Sequence, residues 1–415
     1  MSQLSIFDGQ SPLRIGGKVR LIELFAGIGS QAKALRDLGI PFEHHVVCEF
    51  DDHAITSYNA VHGTSFPKTD IRDLRGADLR ITDTDEYTYV LTYSFPCQDL
   101  SICGRQLGMS EQSGTRSSLL WEVKRLLQET DKLPQVLVME NVPQVVGEKN
   151  LPDFLRWIWF LSDLGYNSKW EVLNARDYDI PQNRERCFMV SFLGDYYYDF
   201  PEPRKLRRVL RHLLQPEDEI QDKYYLSDRG IKYVLRRVGK YTQIVDNDTE
   251  AAYTLTASSN TNWTGSFIKC EKVAQLEGAY ESSNRVYSPD GLCPTLNAHS
   301  GGQLEPKIAT DELLLFDVYN SKQIQADYTG TIAAGVATNG AGTFAVKQPK
   351  HPLRKLTPKE CWRLMGFADA DFEKAKRALN DTFFNGKDKS DAQLYRQAGN
   401  SIVVNCLTAI FGMMI

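Results

Sequence analysis

Cys97 follows Pro96 directly behind the β-rich run 87–93, YTYVLTY. Proline fixes that turn, and a side chain leaving the C-terminal end of a strand stands where open α/β sheets bind their ligands. A thiol there can serve as a nucleophile if positive charge or backbone amides stabilise its thiolate. Cys48, Cys187 and Cys406 lie inside apolar runs and read as small core residues. A second polar pair, Glu140-Asn141, closes the apolar run 135–140, QVLVME. A carboxylate beside an apolar strand is expected to hold its proton more tightly, so it can act as an acid or hydrogen-bond donor. In QNRER (182–186) the alternation turns Arg184 and Arg186 the same way, a pair able to grip phosphate or stabilise an anion. An exposed, salt-bridged edge is the plainer reading of that pentad.

A binding signal lies nearer the start. Phe25-Ala26-Gly27-Ile28-Gly29-Ser30 stands where a first strand turns into a first helix. Glycines there let backbone approach a ligand, and the helix N-terminus favours polar or anionic groups. Glu49, at the end of the next strand, can accept both hydroxyl protons of a ribose diol. The third glycine of dinucleotide binders is missing, so adenosylmethionine or a mononucleotide fits better than NAD. A tight turn that binds nothing is the alternative.

The elements that must position these residues follow from the apolar pattern. Runs at 18–25, 45–49, 87–93, 135–140, 170–173 and 187–193 read as strands. Helical patterns at 30–38, 51–62, 117–130 and 151–165 lie between or beside them. This alternation predicts an α/β domain with a mostly parallel, doubly covered sheet. After about residue 202 the texture changes: a basic stretch, 204–212, leads into Gly, Ser, Thr and Asn up to about 346. AYTLTA (252–257), CPTLNA (293–298) and TGTIAA (329–334) suggest repeated β units there. Helical patterning returns at 357–365 and 401–414. The expected division is a catalytic domain of residues 1–202 and 351–415, with a smaller, irregular β-rich domain at 203–350.

The chain has 415 residues, 42% of them hydrophobic, enough for a sizeable core and too apolar for a disordered protein. No apolar run approaches the roughly 18 residues of a membrane span, and no signal peptide is legible at the start. Eight cysteines without a C-x-x-C, and histidines without zinc spacing, predict a reducing cytoplasm and no metal. The formal net charge of −5 looks wrong for a nucleic-acid binder. It is unevenly spread: residues 203–350 hold 18 basic against 17 acidic side chains, and the remainder 30 against 36. A footprint is a local patch, so the total does not exclude nucleic acid.

Together FAGIGS, PCQ, ENV, QNRER and QAGNS (397–401) stand in the order and approximate spacing of the DNA cytosine-5 methyltransferases. The resemblance extends through KTDIRDL (68–74) and LRKLTPKECWRLMGF (353–367), covering about 1–200 and 350–415. TYSFPCQDLS and RVYSPDGLCPTLNA are similar to the bacterial, mycoplasma and phage branch, some of whose members modify CpG. The resemblance implies a Rossmann-like domain that uses S-adenosyl-L-methionine, with the 203–350 insert as target-recognition domain on double-stranded DNA. Phe25, Ala26, Gly27, Ile28, Gly29 and Ser30 would then line the cofactor pocket, with Glu49 on the ribose and Phe50, where relatives carry Trp, stacked on adenine. Asp70 and Ile71 would meet the adenine edge, and Pro96, Leu119, Asn400 and Ser401 would complete the site. Cys97 would attack carbon 6 of a flipped-out cytosine, and Glu140 would bond N3 and the amine. Asn141 would position backbone, Arg186 would contact the base oxygen, and Arg184 would lie near a phosphate. The loop at about 101–117 would close over the base. Loops at 258–266, 298–305 and 335–343 would read bases, and 204–211 would meet phosphates. A monomer is the expected state, and a cognate restriction endonuclease acting on the same site is one partner the resemblance allows, phage-encoded or orphan enzymes being the alternative. Rivals are an RNA cytosine-5 methyltransferase, a catalytically silent DNA-binding relative, and a thiol oxidoreductase using Cys97 and Cys103.

Overall fold

A computed structural model of the chain describes residues 11–15, 17–97, 100, 108–111, 115–208, 210–224 and 356–415, together with short strands between 272 and 355. The chain divides into two compact units, residues 1–208, 294–300 and 358–415 in one, 209–293 and 301–357 in the other.

The first unit is built on a six-stranded sheet: β1 (Lys18–Leu24), β2 (Phe42–Cys48), β3 (Tyr87–Tyr93), β4 (Val136–Asn141), β5 (Tyr166–Asn174) and β6 (Glu185–Leu193). Their order is β2-β1-β3-β4-β6-β5. The first four are mutually parallel, and β6 runs antiparallel to both β4 and β5. These strands are nearly continuous apolar runs because both sheet faces are covered; β4 is buried at every position. Strand β5 is longer than the expected 170–173, since pairing with β6 extends it from Tyr166 to Asn174. From β1 the chain goes to one side for β2 and to the other for β3. That reversal opens a crevice at the strand ends, the usual ligand position in such sheets.

Eight helices matter here: α1 (Ser30–Asp37), α2 (Asp52–His62), α3 (Leu120–Glu129), α4 (Leu151–Asp163), α5 (Pro358–Leu364), α6 (Asp369–Phe384), α7 (Asp391–Asn400) and α8 (Val404–Gly412). α3 and α4 send Leu120, Leu126, Phe154 and Trp157 into the main core with Leu91, Tyr93, Leu137 and Met139 of the sheet. α1 packs against α8, α2 against α6, and α5 against α7, so the C-terminal segment belongs to this unit. Arg36 of α1 also reaches Asp371 of α6 at 2.9 Å. No helix among the described residues is long and apolar enough to cross a membrane.

The second unit contains a four-stranded sheet of Lys272–Gln275, Arg285–Tyr287, Lys307–Ala309 and Leu353–Lys355, in that order. A three-stranded antiparallel sheet places Leu314–Asp317 between Lys322–Ile324 and Phe344–Lys347. The repeats at 252–257 and 329–334 and the loops at 258–266, 298–305 and 335–343 lie outside the described residues.

Candidate active site

Each parallel strand delivers a functional segment to one edge of the sheet. After Leu24 come Phe25 and the glycine turn; after Cys48, Glu49 and Phe50; after Tyr93, Ser94 to Cys97; and β4 ends in Glu140 and Asn141. The reversal of β6 adds a fifth contributor. Asn141 lies opposite Cys187, so Arg186, at the start of an antiparallel strand, stands at the same edge as the end of β4.

At the β1–β2 end the turn is strained and held by main chain. Phe25, Gly27 and Gly29 have φ of 59°, 58° and 79°, all left-handed, a conformation that suits glycine and costs a phenylalanine about 1 kcal/mol or more. The amide of Gly27 donates to Glu49 Oε2 at 2.8 Å, and that of Asp51 to Glu49 Oε1 at 2.8 Å. Burial nonetheless leaves the Glu49 carboxyl above the usual carboxylate range, with those amides pulling it back. A Cβ on Gly27 would meet nothing within 4 Å, so its backbone faces open space. Phe50 is 62% exposed, an aromatic face with Lys68 Nζ 5.5 Å from its centre. Thr69 N donates to the Glu49 carbonyl at 2.9 Å, which brings 69–71 alongside. Ile71 turns its side chain into the core, so only its main chain can face a ligand. The Asp70 carboxylate caps Arg72 N at 3.0 Å and takes that guanidinium, which holds its pKa low. Ser30 is buried and Ala26 and Ile28 are core residues.

The β3–β4–β6 end is built from side-chain charge. Arg186 Nε lies 3.2 Å from Glu140 Oε1, with both side chains largely buried. Desolvation raises the Glu140 pKa; Arg186, Arg184 and a hydrogen bond from Ser94 act against it. Asn141 Nδ2 donates to the Phe95 carbonyl at 3.0 Å and its Oδ1 accepts from Val142 N at 2.9 Å. Asn141 thereby clamps the end of β4 to the backbone that carries Pro96 and Cys97. Ser117 Oγ donates to the Pro96 carbonyl at 2.7 Å. Cys97 is partly buried and packs, with Phe25 and Leu119, against the main core. Burial pushes its thiol above the usual range, Arg186 and Arg184 draw it down, and Glu140 pushes it up. Cys48, Cys187 and Cys406 are buried, with thiols pushed up to about 12. Cys97 differs from them in being only partly buried; the guanidinium groups of Arg184 and Arg186 act on it and on Cys406 alike.

Arg184 corrects its sequence assignment. It is 3% exposed, and Nη2 donates to the Gly399 carbonyl at 3.0 Å and the Ser401 carbonyl at 2.7 Å. A guanidinium so placed ties the QNRER and QAGNS segments together and cannot reach a phosphate in solvent. Desolvation lowers its pKa to about 9. Ser401 is buried with Oγ on the Gln397 carbonyl at 2.9 Å, while Asn400 is exposed at the end of α7. Within 204–211, residues Arg204, Arg207 and Arg208 are exposed; Arg208 Nε lies 3.3 Å from Asp179 Oδ2. Ser94 and Ser117 carry no sequence signal of their own beyond flanking Cys97 and opening a helix, and only the fold reveals their partners. Residues 101–107 and 112–114 of the expected closing loop, and Cys103, lie outside the described residues. No cluster of potential metal ligands occurs among the described residues.

A family model for C-5 cytosine-specific DNA methylases matches residues 19–415. A type II methyltransferase of Lactococcus lactis subsp. cremoris is 28% identical over 447 residues, covering 95% of this chain and 98% of that protein. An orphan methyltransferase of Spiroplasma monobiae is 40% identical over 191 residues, 43% of this chain and 47% of its own length. Among solved structures, the S. pombe Dnmt2 methyltransferase superposes with a TM-score of 0.60 at 17% identity, covering 96% of this chain and 98% of its own. The Entamoeba histolytica methyltransferase EhMeth gives 0.61 at 14%, with the same coverage. At those identities the structures bear on the fold alone, which is the Rossmann-like one expected. The match along nearly the whole length settles the family: this chain belongs to the C-5 cytosine-specific DNA methylases.

Proposed function

We propose that this protein transfers a methyl group to carbon 5 of a cytosine flipped out of a specific double-stranded DNA sequence, through a covalent adduct on Cys97. The observation that carries the reading is the meeting of Cys97, Glu140 and Arg186 at one sheet edge. Cytosine carbon 5 is a weak nucleophile until a group adds across the 5,6 bond. Cys97 loses its proton to solvent and its sulfur bonds carbon 6, which pushes electron density toward carbon 5 and N3. Glu140, whose pKa burial raises, donates a proton to N3 and so stabilises the charge that the addition creates. Arg186 offers its remaining donors to the base oxygen while holding Glu140 in place. Once carbon 5 carries the methyl group, elimination reverses the addition: carbon 5 gives up its proton to solvent, the carbon 6–sulfur bond breaks, Cys97 leaves as thiolate, and N3 returns its proton to Glu140. None of these atoms is reachable in a stacked duplex, so the base must be extruded at a cost of roughly a few kcal/mol.

The residues at the β1–β2 end fit S-adenosyl-L-methionine. Glu49 retains a lone pair on each oxygen for a diol, Phe50 presents an open aromatic face, and the Gly27 backbone faces free space. When bound, the cofactor supplies an electrophilic methyl group on its sulfonium. We assign Glu49 to the ribose, Phe50 to adenine, and Phe25, Gly27, Asp70, Pro96, Leu119 and Asn400 to the surrounding wall. The 203–350 insert is assigned to target recognition, and the protein to a monomer beside a restriction enzyme of the same specificity. Bisulfite sequencing of plasmid DNA from an expressing host tests the reading: cytosines protected within one recurring sequence support it. Unprotected DNA with methylated host RNA would favour the RNA-modifying rival instead.

A further inference from the structure

The glycine turn rests on a buried polar chain that the chemistry above does not use. Glu23, next to the C-terminal end of β1, is wholly buried, and Tyr58 of α2 donates its hydroxyl to Glu23 Oε2. That hydroxyl also meets His44 Nδ1 of β2 at 2.7 Å; since its one proton goes to Glu23, His44 supplies the other. One helical turn beyond Tyr58, His62 Nε2 lies 3.1 Å from the Ile28 carbonyl. A carbonyl only accepts, so His62 is the donor. The two rings lie 4.6 Å apart and form the floor beneath Gly29. A Cβ at Gly29 would stand 2.2 Å from His62 Nε2 and 2.7 Å from Tyr58 Cε2. Gly29 is therefore required twice, for its positive φ and for the rings under it. Burial, with His44, Arg36 and Lys33 nearby, drives the His62 pKa down to about 3. The ring is neutral at any working pH, and its single proton must sit on Nε2 to serve Ile28.

We infer that His62, seated beside Tyr58, is a positioning residue that holds the Ala26–Ser30 turn in the form that receives S-adenosyl-L-methionine. The inference rests on the cofactor assignment proposed above. Its reason is the concentration of left-handed backbone: three of the five residues from Phe25 to Gly29 have positive φ. Such a turn persists only where its surroundings enforce it. Glu49 enforces it from the ligand side through Gly27 N. His62 does so from the helix side through the next carbonyl, two groups gripping adjacent residues from opposite flanks.

Calorimetric titration of the full-length protein with S-adenosyl-L-methionine and S-adenosyl-L-homocysteine tests this. His62→Phe keeps the ring and deletes the donor, whereas His62→Gln returns an N–H near the Nε2 position. His62→Phe should bind both ligands about tenfold more weakly, the worth of one well-placed hydrogen bond. KM for the methyl donor should rise by the same factor while kcat falls less than twofold, and His62→Gln should recover most of the loss. Melting temperature without ligand separates a loosened turn from a collapsed fold; if His62→Phe melts early, His62→Gln alone must still bind within about threefold of wild type. Wild-type affinity in a folded His62→Phe, or equal loss in both variants, would overturn the positioning role. Failure of the wild-type protein to bind either ligand would sink the cofactor reading itself, a separate and recognisable outcome.

Discussion

At the β1–β2 end of the sheet edge, functional groups are held by main chain and packing: two amides on Glu49, a histidine on a carbonyl, rings under a glycine. At the β3–β4–β6 end they are held by opposed side-chain charge, with Arg186 against Glu140 and Arg184 behind both. The first end is stiff before any ligand arrives, as a site for a ligand of fixed shape should be. The second is poised electrostatically, with burial raising the pKa of both the carboxyl and the thiol and the guanidinium groups opposing it. Binding is thus assigned to geometry and chemistry to charge. Substitutions at the two ends should separate along that line.

The largest effect is expected at the charged end. Cys97→Ala should lower methyl transfer by roughly 10⁴-fold or more, since no other residue can add to carbon 6, while cofactor affinity stays within twofold. Radiolabelled methyl incorporation and calorimetry on one preparation check both halves. Glu140→Gln should cost roughly 10²–10⁴-fold in kcat, the usual worth of a positioned acid. Cofactor binding should again be spared; a loss of affinity in that variant would erase the division between the ends.

Arg184→Met probes the joint behind the site. It strands the Gly399 and Ser401 carbonyls in the interior, so the chain should lose about 3 kcal/mol of stability, read as a lower urea midpoint at unchanged slope. A full-stability variant would show that the tie to the C-terminal segment is dispensable.

Beneath the stiff end, Glu23 makes stability depend on pH. Burial raises its pKa to about 7, against 4.5 for an ordinary glutamate. The folded state therefore favours the acid. Its advantage is complete below about pH 4.5 and is lost as pH rises to 7, by up to about 3 kcal/mol. Glu23→Gln, which cannot ionise, should gain on wild type across that window and hold a constant difference above it. Parallel urea curves from pH 4 to 8 would show this, and a pH-independent difference would mean that Glu23 does not titrate there.

The smallest effect concerns the thiol. Alkylation of Cys97 by iodoacetamide, followed by peptide mass spectrometry, should keep accelerating through pH 9, because its pKa is raised. Arg186→Gln should slow it further, by removing the charge that pulls the pKa down. A plateau below pH 8 would contradict the burial-dominated thiol.

The strands were legible because parallel strands covered on both faces are nearly continuous apolar runs, as LIELF and VLVME are apart from one glutamate each. The glycine turn, Glu49 and Cys97 were legible because each lies at the end of such a run. Strand direction was not: nothing local in ERCFMVSFL says that it runs backwards, yet that reversal delivers Arg186 to Glu140. Nor did alternation give the depth of Arg184, whose partner Gly399 is 215 residues away. Helices α6 and α7 did not stand out because their buried positions, such as Phe372, Ala375 and Leu379, are sparse among charges. His62 gave no sign because its meaning comes from a carbonyl on another element.

The most direct test of the central claim uses DNA carrying 5-fluorocytosine at the methylated site. Fluorine cannot leave as a proton does, so elimination stops after methylation and the protein should remain bonded to the DNA through Cys97. On a denaturing gel this account predicts a shifted band that needs both S-adenosyl-L-methionine and the fluorinated base and is absent with Cys97→Ala. No such band, on a sequence that is demonstrably methylated when unfluorinated, would contradict the covalent mechanism.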